Sequence, residues 1–178
     1  MDGPCAGMAG QKRVAEEIVK PVPMNWMQYV KQLETVGNDT GYIFPVQLSD
    51  TVIADIKNTF HFSELPPELE ELLLQTDGIQ QTLNDMVIDD LIWPVERILE
   101  TNLQYRTSSD LKDLYMSFDQ LFFFSDAGNG DQFAFINLEG RFPRNDVFVW
   151  NHEDDSRTWV APDLKQFLAG WLNGRITV

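Results

Sequence analysis

The strongest constraint on the fold is a pair of aromatic runs that flank a short polar turn. Residues 121–135 are Leu-Phe-Phe-Phe-Ser-Asp-Ala-Gly-Asn-Gly-Asp-Gln-Phe-Ala-Phe. Aromatic residues favour strands, and the Gly, Asn and Asp residues between the runs tolerate the positive φ angles of a tight turn. A third apolar run, Val147–Trp150, ends at the charged tip Asn151–Asp155. The pattern predicts strands at 121–125, 132–136 and 147–151, with a fourth near 158–160.

The short connections between these strands predict their direction. Connections of about two to six residues join antiparallel neighbours, whereas parallel neighbours need a crossover of about a dozen residues or more. A C-terminal helix then begins at Pro162 and Asp163 and ends at Gly174, with one apolar face: Leu164, Phe167, Leu168, Trp171 and Leu172. That face must be buried, most economically against the sheet.

Helix signals also precede the sheet. Asn25 can cap a helix from Trp26 with Gln28 completing a capping box, and Ser49 can cap a second helix. Pro66-Pro67 predicts the start of a third helix, which Asp77-Gly78 ends. Further along, we expect a short strand at 86–88, a short helix opened by Pro94, and a loop over 100–117 with one helical turn at 111–115.

The first 23 residues differ from the rest of the chain. They combine small residues with a short polar segment and end in Pro21-Val22-Pro23, immediately before the first helix signal. We therefore expect residues 1–23 to be an N-terminal extension that is disordered or not native to the protein. Residues 24–178 are expected to form one domain, a size that supports a sizeable core.

The charge balance restricts the partners that the chain can bind. The net charge is −15, from 28 acidic and 13 basic residues. Such a charge opposes nucleic-acid binding, which needs clustered Lys and Arg, and favours rapid capture of a basic protein. An acidic surface can also serve solubility alone. No apolar run is long enough to span a membrane, no secretory signal pattern opens the chain, and Cys5 has no intramolecular partner, so we expect a cytoplasmic protein.

The order of motifs resembles the SUKH superfamily, the Smi/Knr-type group of bacterial toxin-immunity proteins and fungal cell-wall synthesis regulators. The resemblance runs from Ser49 to Leu172. It rests on these segments in this order: Leu-Pro-Pro-Glu-Leu-Glu-Glu-Leu-Leu within 62–78, Trp-Pro-Val-Glu-Arg-Ile, the Gly-rich hairpin of 124–135 with its acidic residue Asp131, Val-Trp-Asn-His-Glu-Asp-Asp, and the C-terminal helix. The helix from Trp26 and the segment 37–48 enlarge the usual front end.

The resemblance implies a fold and a mode of action. The expected fold is α+β: a single domain with a mostly antiparallel sheet of four to six strands, flanked by helices, with the C-terminal amphipathic helix packed on the sheet. The expected activity is binding without catalysis, because characterised members act by binding.

Spacing argues against the metal and phosphate sites that the turn residues invite. If Asp126 opened an EF-hand loop, Asp131 would stand where glycine is needed and Asn137 where a bidentate Glu is needed. A phosphate-binding Gly-x-Gly-x-x-Gly loop would need glycine in place of Phe133. The metalloprotease pattern from His152 ends at Ser156 instead of a second His. We therefore expect no metal, no cofactor and no enzymatic activity.

The resulting hypothesis is an immunity protein that neutralises a cognate toxin, plausibly a nuclease with a basic cleft that the acidic surface blocks. The alternatives are a regulatory scaffold module of the Smi/Knr type, or a ligand-binding or catalytic domain hidden in the sheet. The predicted partner-binding residues are Trp93, Asp126, Asn129, Asp131, Glu153, Asp154 and Asp155. Each can equally be structural, as part of a solvated turn or, for Trp93, of the core.

Deletion of residues 1–23 is expected to change neither stability nor binding, because the domain begins at Met24. Thermal unfolding and partner titration of the shortened and full chains check this. A clear drop in melting temperature or affinity would contradict it.

Overall fold

The computed structural model describes residues 23–33 and 39–178, and these contain six helices and seven strands. The helices are α1 (Trp26–Gln32), α2 (Asp50–Phe60), α3 (Pro67–Leu73), α4 (Val95–Thr107), α5 (Ser109–Lys112) and α6 (Leu164–Leu172). The strands are β1 (Thr40–Ile43), β2 (Ile79–Leu83), β3 (Met86–Ile92), β4 (Leu121–Asp126), β5 (Gln132–Ile136), β6 (Val147–Trp150) and β7 (Arg157–Ala161). The expected extension at 1–23 lies outside the described residues, except for Pro23.

The strands form two antiparallel sheets. One has the order β1-β2-β3 and the other has the order β4-β5-β6-β7. The backbone N–H of Trp93, just after β3, donates to the carbonyl oxygen of Phe124 at 3.0 Å, and Ser125 Oγ donates to the carbonyl oxygen of Leu91 at 2.8 Å. These bonds join the end of β3 to β4, so the two sheets share one frame.

Aromatic side chains fill both faces of the larger sheet. On the α6 face, the ring of Phe133 lies 4.7 Å from that of Phe167, and Phe124 stacks on Phe135 at 4.7 Å. On the opposite face, rings from α4 and from the segment before β4 pack against Phe123 and Trp150: Tyr105, Tyr115 and Phe118. Such ring contacts add to the stabilisation that comes from burying the apolar area of the rings.

Helix capping follows the sequence at α1 and α6 and departs from it at α2 and α4. Ser49 precedes α2 as expected, but its side chain makes no capping hydrogen bond and lies 2.6 Å from Thr51 Oγ1 instead. Asn25 Oδ1 accepts from the backbone N–H of Gln28 at 2.8 Å, and Asp163 Oδ1 accepts from that of Gln166 at 2.6 Å. Helix α4 follows Pro94, which has no capping side chain, and its first N–H is bound by a distant residue. Asp77 Oδ1 accepts from the backbone N–H of Val95 at 2.8 Å.

The predicted fold class is confirmed: the chain is α+β, with antiparallel sheets, flanking helices and the C-terminal helix packed on a sheet. The four strands predicted from the aromatic runs are present and form one sheet. The prediction of a loop over 100–117 was wrong, because α4 extends to Thr107 and α5 follows it. The inward-facing positions of α4 include the polar residues Asn102 and Arg106. The apolar periodicity that would predict a helix from the sequence is therefore weak there.

Asn102 is the buried link between α4 and β4. Its Nδ2 donates to the carbonyl oxygens of Ile98 and Phe123, both at 2.8 Å, and its Oδ1 accepts from the backbone N–H of Phe123 at 2.9 Å. The side-chain amide of Asn102 therefore pairs with both the N–H and the C=O of Phe123. These groups lie next to the bulge in β4, where the register between β4 and β5 shifts.

Replacing Asn102 with Ala is expected to lower the free energy of unfolding by about 2–4 kcal/mol, because the buried groups of Phe123 lose their partners. Urea denaturation measures the change. Leu103→Ala, at the neighbouring exposed position of the same helix, is the control and should change stability by less than about 0.5 kcal/mol. Equal stabilities of the two variants would contradict the assigned role of Asn102.

Candidate functional site

Two turns lie side by side at one end of the larger sheet. The β4–β5 turn spans residues 126–131 and the β6–β7 turn spans residues 151–156. They are neighbours because Gln132, at the start of β5, pairs with Trp150, at the end of β6. We call these two turns the acidic end. It holds six of the seven residues predicted to bind a partner: Asp126, Asn129, Asp131, Glu153, Asp154 and Asp155.

Asp131 is buried and ties the two turns together. Its Oδ1 accepts from the backbone N–H of His152 at 3.1 Å and contacts His152 Nδ1 at 2.8 Å. Its Oδ2 accepts from Asn129 Nδ2 and Asn151 Nδ2, both at 3.3 Å. The carboxylate therefore connects groups on both turns, and it serves the structure of the acidic end directly.

The surroundings of Asp131 determine its protonation. Burial raises the pKa of this carboxyl, but the hydrogen bonds from His152 and Asn129 outweigh burial, so the pKa lies below its ordinary value. Gly130 adopts a φ of 106°, and a Cβ there would come within 2.9 Å of the His152 ring. Glycine at this position lets the imidazole pack on the turn beside Asp131.

Asp155 links the β6–β7 turn to the end of β6 and to the segment before β4. Its Oδ1 accepts from Trp150 Nε1 at 2.7 Å, and its Oδ2 accepts from the backbone N–H of Met116 at 2.7 Å. Arg157 Nη2 lies 3.5 Å from the same carboxylate. These contacts fix the turn against the segment that leads into β4.

Asp126 and Trp93 meet where the two sheets join. Trp93 is fully buried, and its Nε1 donates to Asp126 Oδ2 at 2.9 Å. Arg97, in the first turns of α4, donates to the same oxygen and stacks 4.4 Å from the Trp93 ring centroid. Asp126 Oδ1 accepts from the backbone N–H of Gly128 at 2.9 Å. Trp93 thus contacts the acidic end from inside, as a core residue.

Asn129, Glu153 and Asp154 are the predicted residues that lie exposed at the acidic end. Asn129 also hydrogen-bonds Asp131 through both its side-chain atoms. Asp154 Oδ1 accepts from the backbone N–H of Ser156 at 2.9 Å, and hydrogen bonds from Ser156 lower the pKa of this carboxyl. Glu153 and Asp154 therefore present the negative charge that a partner can reach.

The structure adds a second acidic pair that the sequence prediction missed. Arg97 bridges Asp126 to Asp90, whose Oδ2 lies 3.2 Å from Arg97 Nη1. The neighbouring Asp89 has a raised pKa, because partial burial and the nearby carboxylates of Asp126 and Asp90 disfavour its charge. The available signal was Asp89-Asp90 at the end of an apolar run, with Arg97 in the first turn of the helix that follows. The pair extends the negative surface from the acidic end towards β3.

The carboxylates of the acidic end form no metal-binding group among the described residues. Within residues 23–33 and 39–178, three or more His, Cys, Asp or Glu side chains are nowhere grouped to hold a metal ion. Three carboxylates of the acidic end accept hydrogen bonds from backbone N–H groups and neighbouring side chains: those of Asp126, Asp131 and Asp155. In the same described ranges, no helix is long and apolar enough to cross a membrane.

Comparison with known families identifies a relationship over most of the chain. The model of the SMI1 / KNR4 family (SUKH-1) matches residues 47–170, well over half of the chain. The matched region runs from just before α2 into α6 and includes both turns of the acidic end. No curated protein matches the chain.

Asp131→Asn is expected to lower the free energy of unfolding at pH 7 by about 1–3 kcal/mol, because charge-assisted bonds across the two turns are lost. The unfolded carboxyl has a pKa of about 3.9, and the folded one lies lower. The stabilisation is therefore complete above the unfolded pKa and is lost as the pH falls through the folded pKa. Urea denaturation from pH 7 to pH 3 should show the gap between wild type and variant narrowing in acid.

Glu153→Gln provides the control, since it removes one exposed charge from the neighbouring β6–β7 turn. Its stability should stay within about 0.5 kcal/mol of wild type. A gap for Asp131→Asn that stays constant down to pH 3, or no gap at pH 7, would contradict the role of the ionised carboxylate.

Proposed function

The chain belongs to the SMI1/KNR4 family (SUKH-1), and we propose that it is a non-catalytic cytoplasmic immunity protein that binds and neutralises a cognate bacterial toxin. The single observation that carries the proposal is the acidic end: two rigid turns that present Glu153 and Asp154 on a chain of net charge −15. Family membership supports action through protein interactions, and the charge indicates a basic partner.

The charge of the surface defines the partner class. A nuclease or another enzyme that grips phosphates needs a basic cleft. Carboxylates at the rim of an interface steer such a partner and raise its association rate, while desolvated contacts slow dissociation. Exposed carboxylates on the acidic end could therefore occupy the cleft in place of nucleic acid.

The internal hydrogen bonds of the acidic end favour binding by preorganisation. Asn151 Oδ1 accepts from the backbone N–H groups of Glu153 and Asp154 at 2.8 and 3.2 Å. Asp131 and Asp155 hold the same turn from its buried side. A turn that is already ordered loses less conformational entropy on binding, so more of its interaction energy appears as affinity.

The first experiment is co-expression with the product of the neighbouring gene. We expect that product to arrest growth alone, and this protein to restore growth and form a complex with it. A neighbour that is not toxic, or one that this protein neither binds nor neutralises, would overturn the proposal. A non-toxic partner that binds would instead favour the regulatory scaffold function of Smi/Knr-type proteins.

Neutralising the exposed carboxylates together, as Glu153→Gln with Asp154→Asn, is expected to lower the association rate by about threefold to tenfold at low salt. The dependence of that rate on salt should fall as well. Stopped-flow or surface plasmon resonance measurements at several salt concentrations check both effects.

The matched control is Asp55→Asn with Glu64→Gln, which removes two exposed charges on and after α2. It should leave the association rate closer to that of wild type than the turn variant does. Equal slowing by both variants would show that net charge matters and that the acidic end does not.

A further inference from the structure

The tip of the β2–β3 hairpin exposes apolar side chains that the core does not use. Met86, Val87 and Ile88 are consecutive and are 67, 50 and 54% exposed. Leu83, which pairs with Met86 across the turn, is also exposed. We call these four residues the hairpin patch. Three consecutive exposed apolar residues are unusual on a strand unless they serve a function.

The geometry of the hairpin explains why the patch is open. Asn84 and Asp85 have φ angles of 49° and 62°, as the two central residues of a type I′ turn do, and Leu83 pairs with Met86 across them. Between the pairs of Thr82 with Val87 and Gln81 with Asp89, the register shifts, so Ile88 is the extra residue of a bulge. Both faces of β3 are therefore solvent-exposed from 86 to 89.

The outer edge of this part of β3 is also free. Strand β3 is the outer strand of its sheet, and its hydrogen bonds to the β4 side involve Leu91 and Trp93, beyond the patch. Within the described residues, no strand pairs with the outer edge of 86–90. An open edge with apolar side chains can accept an added strand from another protein.

Charge selects the occupant of this edge. Asp85 lies at the turn, and Asp89 and Asp90 follow the apolar run, so carboxylates stand on both sides of it. Through Arg97 these carboxylates continue to Asp126 and the acidic end. A second copy of this chain would place like charges on one another, each copy at −15, whereas a basic segment would meet opposite charge.

We propose that the hairpin patch docks an extended segment of the partner in which apolar and basic residues alternate. The segment adds a strand to the edge of β3, its apolar side chains contact the hairpin patch, and its long basic side chains reach the carboxylates that flank the patch in sequence. The identity of the partner as a basic toxin rests on the proposed function. The preference of this surface for apolar and basic residues is independent of that proposal.

A peptide titration tests the docking surface without the toxin. Two short synthetic peptides, one alternating valine with lysine and one alternating valine with glutamate, are added to the full chain labelled with ¹⁵N. We expect the lysine peptide to shift the backbone amide signals of 85–90 and the glutamate peptide to leave them in place. Higher salt should weaken the binding.

The variant Val87→Thr with Ile88→Thr keeps β-branched side chains and removes apolar contact area. It is expected to weaken binding of the lysine peptide by about fivefold or more. Leu114→Thr with Met116→Thr changes two apolar residues elsewhere that are more exposed than Val87 and Ile88, and this variant should bind as wild type does. Thermal unfolding of both variants confirms that they are folded.

Each of three peptide results would overturn the inference: no shift at 85–90, equal shifts with both peptides, or equal affinity of wild type and the Val87/Ile88 variant. Concentration-dependent dimerisation through these residues would also overturn it in favour of a second copy. If the peptide docks but the protein does not neutralise the toxin, only the proposed function is contradicted. If the protein neutralises the toxin but the peptide does not dock, only this inference is contradicted.

Discussion

The buried indole of Trp93 holds the structure together at the place where its two sheets meet. The backbone N–H of Trp93 binds Phe124 in β4, its ring nitrogen binds Asp126, and the Arg97 guanidinium covers its face. On the other side, Gly78 has a φ of 80°, and a Cβ there would lie 2.6 Å from the carbonyl oxygen of Ile92. The close approach that glycine permits lets Asp77 cap α4. These contacts connect the acidic end to the strand that carries the hairpin patch.

The sequence predicted best those elements whose pattern is set by burial alone. The aromatic runs of β4, β5 and β6 are mostly buried, as are Leu164, Phe167 and Leu168 on the apolar face of α6, and the sequence identified each of these elements. Strands β1 and β2 were not identified, because Thr40–Ile43 and Ile79–Leu83 mix polar and apolar residues on a partly exposed sheet. Helix α4 was predicted too short, since Asn102 works there as a buried hydrogen-bonding residue.

The candidate site shows a similar division. From the sequence, carboxylates of both turns are predicted to bind one partner, and the structure places the two turns side by side at one end of a sheet. Sequence does not distinguish Asp131 from Asp154, although one is buried against His152 and the other faces solvent. That difference arises from the pairing of β5 with β6, which no local pattern encodes. The contribution of Arg97, Asp89 and Asp90 likewise depends on contacts between distant segments.

We propose that one negative surface, from the acidic end to the β2–β3 hairpin, receives a basic toxin. Hydrogen–deuterium exchange of this protein, free and in complex with the product of the neighbouring gene, tests this most directly. We expect slower exchange at 85–90 and 151–156 in the complex, with little change in α2. Protection confined to α2, or unchanged exchange in both of those segments within a stable complex, would contradict it.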